Sequence, residues 1–215
     1  MKIEITSVAP LSGGSEILIN VRLCDDAGGI ERRKFLLFTE QYIELGLSRG
    51  AVIDEDTFDK IEELSKKCRA IRKGSDLLAY SSSSRVRLAQ RLRSKGIDRE
   101  SAECAAEHLQ KLGVINEEAD VEQLVQSSLK KLWGKKRIYR ELCAKGYDKE
   151  IVSRELSYIE EQTLVDNCVA LFRKKHKTFP DDVETQKKIV ASLVRYGYGF
   201  NEIKQALYII DKEQE

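Results

Sequence analysis

Along the first forty residues the apolar positions recur every second residue. Ile17, Ile19, Val21 and Leu23 alternate with polar neighbours, the period of a half-buried strand, and Ile3 and Ile5 mark an earlier one. Asp25-Asp26-Ala27-Gly28-Gly29 is a turn-forming break, and Lys34-Phe35-Leu36-Leu37-Phe38 reads as a third strand. The pattern predicts a small antiparallel sheet of three strands at most, too slight to stand without helices packed on it. Thr39 reads as the N-cap of a short helix that ends before Gly46 or Gly50.

From about Asp54 the period lengthens. Phe58, Ile61, Leu64, Cys68 and Ile71 fall three or four apart, the stripe of a helix face, predicting a helix from Asp54 to Lys73. The run Ser81-Ser82-Ser83-Ser84 is too short for a linker, and a serine just before Val86-Arg87-Leu88 makes a good helix cap. Only two prolines occur, Pro10 and Pro180, and the long interval between them lacks this helix breaker.

A repeat organises the remainder. Arg87-Leu88-Ala89-Gln90-Arg91-Leu92-Arg93-Ser94-Lys95-Gly96-Ile97-Asp98 aligns with Arg137-Ile138-Tyr139-Arg140-Glu141-Leu142-Cys143-Ala144-Lys145-Gly146-Tyr147-Asp148. A third copy runs from Lys188 through Leu193 and Gly197 to Gly199. The register continues through Ala102, Val152 and Ile203, then Ala106, Leu156 and Leu207, then Leu109, Ile159 and Ile210. Each copy reads as helix, glycine break, helix. Leu92, Leu142 and Leu193 face the core, and Gly96, Gly146 and Gly197 sit where a helix must end in a left-handed turn. Further helices, Asp54 to Lys73, Ala119 to Leu132 and Leu164 to Lys175, precede the pairs. The expected fold is mainly α: three tandem three-helix-bundle repeats in an elongated array, behind a small N-terminal β segment. The expected boundaries are 1–53 for the β segment and short helix, then 54–115, 116–162 and 163–215 for the repeats.

Charge is dense and balanced, with 37 basic and 36 acidic residues, but unevenly spread. Residues 84–146 hold 14 basic and 9 acidic side chains, while each flank is slightly acidic. The middle third is either a solvated helix surface or an anion-facing one. The five cysteines, Cys24, Cys68, Cys104, Cys143 and Cys168, form no CxxC pair, which fits a reduced, cytoplasmic protein. Neither a secretory signal nor a membrane-spanning stretch is expected. No Walker or GxGxxG motif occurs, and His108 and His176 lie apart from any metal-ligand spacing, so neither enzyme activity, metal nor cofactor is expected. Gly13-Gly14 reads as a turn, His108 as a partly exposed helix residue, and His176 as part of the basic helix end Arg173-Lys174-Lys175-His176-Lys177.

The motif basic-x-x-x-x-Leu-x-x-Lys-Gly-hydrophobic, at Arg87 to Ile97 and Arg137 to Tyr147, together with Trp133-Gly134-Lys135-Lys136-Arg137-Ile138-Tyr139-Arg140-Glu141-Leu142-Cys143-Ala144-Lys145-Gly146, resembles the RecX family. The resemblance spans nearly the whole chain and rests on the order and spacing of degenerate motifs. One departure stands out. Many members carry a double aspartate where this chain has Asn116-Glu117 and Asp166-Asn167, acids expected to cap the next helix. The resemblance implies a cytoplasmic, monomeric regulator of the RecA recombinase. It would lie in the groove of the RecA–DNA filament, inhibit ATP hydrolysis and strand exchange, and so limit recombination, DNA repair and the SOS response. Single- or double-stranded DNA would be met weakly or through the filament. The alternative is a helical-repeat module that binds DNA or RNA directly, against which the net charge of +1 speaks.

The residues for partner contact are basic. Arg87, Arg91 and Lys95 fall at i, i+4 and i+8, flanked by Arg85 and Arg93. Lys135, Lys136, Arg137 and Arg140 crowd the start of the equivalent helix, where positive charge opposes the macrodipole. Arg173, Lys174 and Lys175 complete the set. Tyr139, Tyr147, Tyr196, Tyr198 and Trp133 read as packing residues at repeat junctions rather than base-stacking platforms.

Overall fold

A computed structural model describes residues 2–11, 13–25, 27–176, 178, 180 and 182–212. They form two compact units, 1–81 with 88–114, and 82–87 with 115–215. Asp26 and Lys177, which the sequence places in a turn and in a basic helix end, lie outside the described residues.

In the first unit β1 (Lys2–Pro10), β2 (Glu16–Cys24), β3 (Ile30–Phe38) and β4 (Val52–Ile53) make one antiparallel sheet in the order β3-β2-β1-β4. The alternation in β2 is realised: Ile17, Ile19, Val21 and Leu23 are buried with Ile3, Ile5, Phe35 and Leu37. The expected limit of three strands is exceeded. Val52 and Ile53 pair with Glu4 and Ile3, and two residues are too few to show any period.

Helix α1 (Thr39–Glu44) is capped at Phe38, not at Thr39. The Gln41 side chain accepts from the Phe38 N–H at 3.1 Å, while the Thr39 hydroxyl donates to Gly14 O at 2.6 Å. Helix α2 (Glu55–Tyr80) carries its stripe against the sheet through Phe58 and Ile61. The buried Ser65 hydroxyl accepts the Leu36 N–H at 2.9 Å. The helix outruns its expected end at Lys73 and passes through Gly74. A Cβ there would lie 2.7 Å from Leu109 Cδ1, so this glycine permits close packing rather than stopping the helix.

Three sets of three helices follow the sheet among the described residues: α2 with α3 (Arg85–Ser94) and α4 (Arg99–Lys111); α5 (Glu117–Lys130) with α6 (Lys135–Ala144) and α7 (Lys149–Ser157); α8 (Glu161–Lys175) with α9 (Val183–Arg195) and α10 (Phe200–Lys212). Leu92, Leu142 and Leu193 are buried at equivalent places, as are Leu88, Ile138 and Ile189. Each middle helix ends in the same turn. Gly96, Gly146 and Gly197 take φ of +86°, +83° and +97°. The next residue's N–H then reaches back to the carbonyl of the repeat leucine: Ile97 to Leu92, Tyr147 to Leu142 and Tyr198 to Leu193, each at 3.3 Å. This closure satisfies carbonyls that the helix end would otherwise orphan.

Within the second unit the turns also bond residues at the start of other helices. The Ser84 hydroxyl donates to Lys145 O at 2.8 Å and accepts from the Arg87 N–H at 3.2 Å, capping α3 as its sequence predicts. One repeat later Gly134 N–H donates to Tyr196 O at 2.9 Å and Lys136 N–H to Gly197 O at 3.1 Å. Tyr147 and Tyr198 are buried behind these turns as expected. The Tyr147 hydroxyl bonds Ser82 and Asp120, and that of Tyr198 donates to Leu132 O at 3.0 Å. Burial pushes the Tyr147 hydroxyl up to about 12.

Candidate partner-binding surface

The basic residues of α3 lie off its leucine face. Leu88 and Leu92 are buried, whereas Arg85, Arg87 and Arg93 are exposed. Arg91 is half-buried, with Nη1 3.5 Å from the Ser81 hydroxyl. Lys95 is exposed but stands just beyond α3, where its N–H bonds Leu92 O in a tightened turn. The helical stripe Arg87–Arg91 therefore holds, and Lys95 extends it only through the turn.

At the start of α6 the four cations meet different fates. Gly134 offers no side chain to cap this end. Carbonyls of Tyr196 and Gly197 take two N–H groups instead, which also places negative partial charge beside Lys135, Lys136 and Arg137. The Lys135 ammonium donates to Ile159 O at 2.9 Å, tying down the chain after α7. The Arg137 guanidinium lies 4.1 Å from the Trp133 ring centre and 5.2 Å from that of Tyr196. Lys136 and Arg140 are exposed, with no acidic partner among the described residues.

Arg173, Lys174 and Lys175 occupy the last turn of α8, the end at which the macrodipole favours cations. Lys175 reaches 4.0 Å from the Tyr196 ring centre and 3.4 Å from the Ser192 hydroxyl. Lys188, the counterpart of Arg87 and Arg137, is paired with Glu184 at 2.7 Å.

These distances bring together a cluster that sequence reading missed. Lys131, Trp133, Arg137, Tyr196 and Lys175 alternate cation and ring, Lys131 lying 5.4 Å from the Trp133 centre. Each cation–ring contact contributes about 0.5–1 kcal/mol at such an exposed site. The rings are thus engaged by the protein's own cations. The tyrosine and tryptophan were legible as junction residues; the cations over them were not, because Tyr196 and Lys175 are remote in sequence from α6.

Other chemistry is sparse. Among the described residues no group of three or more His, Cys, Asp and Glu could hold a metal ion. No helix is long and apolar enough to cross a membrane. Burial pushes the Cys68 and Cys168 thiols up to about 12, away from the reactive thiolate. His108 is half-buried and its ring stacks on Phe38 at 6.0 Å, and the His176 ring lies 5.3 Å from Phe172.

No protein-family model matches the chain. It is 25% identical over 177 residues to Regulatory protein RecX of Caldanaerobacter subterraneus subsp. tengcongensis, covering 80% of this chain and 86% of that one. With Regulatory protein RecX of Clostridium botulinum (strain Alaska E43 / Type E3) it shares 28% identity over 121 residues, 54% of this chain and 57% of the relative. Among solved structures, the crystal structure of a regulatory protein RecX superposes with a TM-score of 0.75 at 17% identity, covering 95% of this chain and 98% of that one. Its repeat motifs, its sequence relatives and its fold thus agree in their similarity to the RecX family.

Proposed function

We propose that this chain is a non-catalytic, cytoplasmic regulator that binds as a monomer in the groove of the RecA–DNA filament. There it slows RecA ATP hydrolysis and strand exchange, and so restrains recombination and the SOS response. The observation that carries this reading is the similarity to Regulatory protein RecX over four-fifths of the chain, 80% in one relative. Three repeats, bounded at 54–115, 116–162 and 163–215, would present successive helix pairs to successive filament subunits. The recurrence of one glycine turn supports that division. Arg87, Arg93, Lys95, Lys136, Arg140 and Lys174 are exposed without an acidic partner among the described residues, so their charge is available to the acidic side chains and phosphates of such a filament. Arg91 and Arg137 would support this surface from half-buried positions, with Arg85, Lys135, Arg173 and Lys175 at its margins.

The test is ATP turnover by RecA on single-stranded DNA, titrated with wild type and with Arg87→Glu/Arg140→Glu. Both side chains are exposed, so the double variant should fold. Wild type is expected to slow turnover and the variant to relieve it. If wild type leaves turnover unchanged, the regulatory reading fails. If the folded variant inhibits equally, the surface is wrong. Direct binding of DNA or RNA is the second reading, favoured by the same unpaired cations. Fluorescence polarisation of a labelled single strand without RecA distinguishes it, since autonomous binding would survive RecA's absence and fall steeply with salt.

A further inference from the structure

The second and third repeats carry the same groove. Between α6 and α7 a cavity of about 400 Å³ is lined by Lys135, Lys136, Tyr139, Ser153, Leu156 and Ser157. Between α9 and α10 a cavity of about 470 Å³ is lined by Val183, Gln186, Lys187, Val190, Ala191 and Leu207. The repeat register relates them: Lys136 corresponds to Lys187, Tyr139 to Val190 and Leu156 to Leu207. Both grooves belong to the second unit.

The linings share one chemistry. Each has an apolar floor, with buried Leu156 or half-buried Leu207 and a half-buried Tyr139 or Val190 beside it. Each has an exposed lysine at the lip, Lys136 or Lys187, with no acidic partner among the described residues. A second cation follows in both: Arg140 one turn along α6, and Lys204 at the position that Ser153 holds in the repeat before. An apolar floor gives nothing to a phosphate, and an unpaired lysine at its edge gives nothing to a purely apolar ligand. The complement is a peptide segment that seats an apolar side chain on the floor and holds a carboxylate against the lysine.

We propose that these are two equivalent docking grooves, each taking one copy of the same acidic–apolar segment from neighbouring subunits of a polymeric protein partner. The inference rests on the filament reading above and names the segment chemistry by which that filament is gripped. A repeated groove matches a repeated partner, and two linked weak sites bind far more tightly than either alone because the second encounter is intramolecular.

The experiment is co-sedimentation of the full chain with RecA filaments on single-stranded DNA. Four single variants are compared with wild type: the plugs Ser153→Trp and Ala191→Trp, and the reversals Lys136→Glu and Lys187→Glu. All four positions are exposed, and circular dichroism melting identifies any variant that fails to fold. The reversals, which add no bulk, decide the matter if a plug does not fold. Each folded single variant is expected to bind at least ~10-fold more weakly, and Lys136→Glu/Lys187→Glu at least ~100-fold, the scale of lost bivalency. If wild type binds filaments and all folded variants bind equally, this inference is overturned while the filament reading stands. If wild type does not bind filaments, both fall. If the reversals weaken binding to a labelled single strand without RecA while the plugs leave filament binding intact, the lysines serve nucleic acid and the peptide grooves are overturned.

Discussion

The three repeat glycines form a built-in series for measuring what the junctions contribute. Each has a left-handed φ, between +83° and +97°, so an alanine at any of them costs about 1–2 kcal/mol in backbone conformation. Their surroundings differ. A Cβ at Gly96 would meet nothing within 4 Å. At Gly146 it would lie 3.0 Å from Ser84 Oγ and 3.2 Å from Val86 Cβ, crowding the hydroxyl that caps α3. At Gly197 it would fall inside van der Waals contact of Arg137 N and Cβ and 2.8 Å from Gly134 O. Backbone cannot rotate away, so α6 and the turn must separate, with loss of the bonds from Gly134 N to Tyr196 O and from Lys136 N to Gly197 O. Overpacking adds about 1–3 kcal/mol and each lost hydrogen bond about 1 kcal/mol. The expected costs are about 1–2 kcal/mol for Gly96→Ala, about 2–5 for Gly146→Ala and about 4–7 for Gly197→Ala. Urea unfolding followed by far-UV circular dichroism measures the order. Trp133, the sole tryptophan, sits at this junction under Arg137, so its emission should shift in Gly197→Ala and stay put in Gly96→Ala. Equal destabilisation by Gly96→Ala and Gly197→Ala would refute the junction argument, leaving only the shared φ.

Leu142 is 2% exposed in the second bundle, and Leu142→Ala should cost roughly 2–5 kcal/mol in urea unfolding, while exposed Lys149→Ala should stay within about 0.5. The thiols should divide by burial: Cys68 and Cys168, buried with thiols pushed up to about 12, should resist a disulfide reagent at pH 8 in the native protein. No more than the half-buried Cys24, Cys104 and Cys143 should react before denaturant and all five after it, and native labelling of Cys168 would contradict the packing of α8.

How much was legible follows from how local each requirement is. The glycine turns were readable because this helix closure puts a left-handed residue four positions after the leucine whose carbonyl it helps to satisfy, whatever lies nearby. The strands of β2 and the leucine positions were readable from period alone. Gly74 was not, because a stop signal and a packing gap look alike until Leu109 is known to lie over it. Thr39 was misassigned as a cap because its hydroxyl is claimed by Gly14, 25 residues earlier. The same holds at the surface. That α3 and α6 carry cations is a property of the sequence, but which cations remain unspent depends on Ile159, Tyr196 and Ser192, supplied from later in the chain.

This difference bears on how a repeat protein presents charge. Arg87, Arg137 and Lys188 stand at one repeat position, yet Arg87 is exposed without an acidic partner among the described residues, Arg137 stacks between two rings, and Lys188 is paired with Glu184. A repeated basic residue is therefore not a repeated basic surface. What does recur in the second and third repeats is an apolar floor with a lysine at its lip that has no acidic partner among the described residues. The floor belongs to the apolar register that packing of the helix pairs already demands, so it persists in both of these bundles, whereas exposed charges can change at a cost of tenths of a kcal/mol. A partner that reads the array repeat by repeat would therefore be better recognised through the grooves, with the exposed arginines of α3 offering it a single, unrepeated patch.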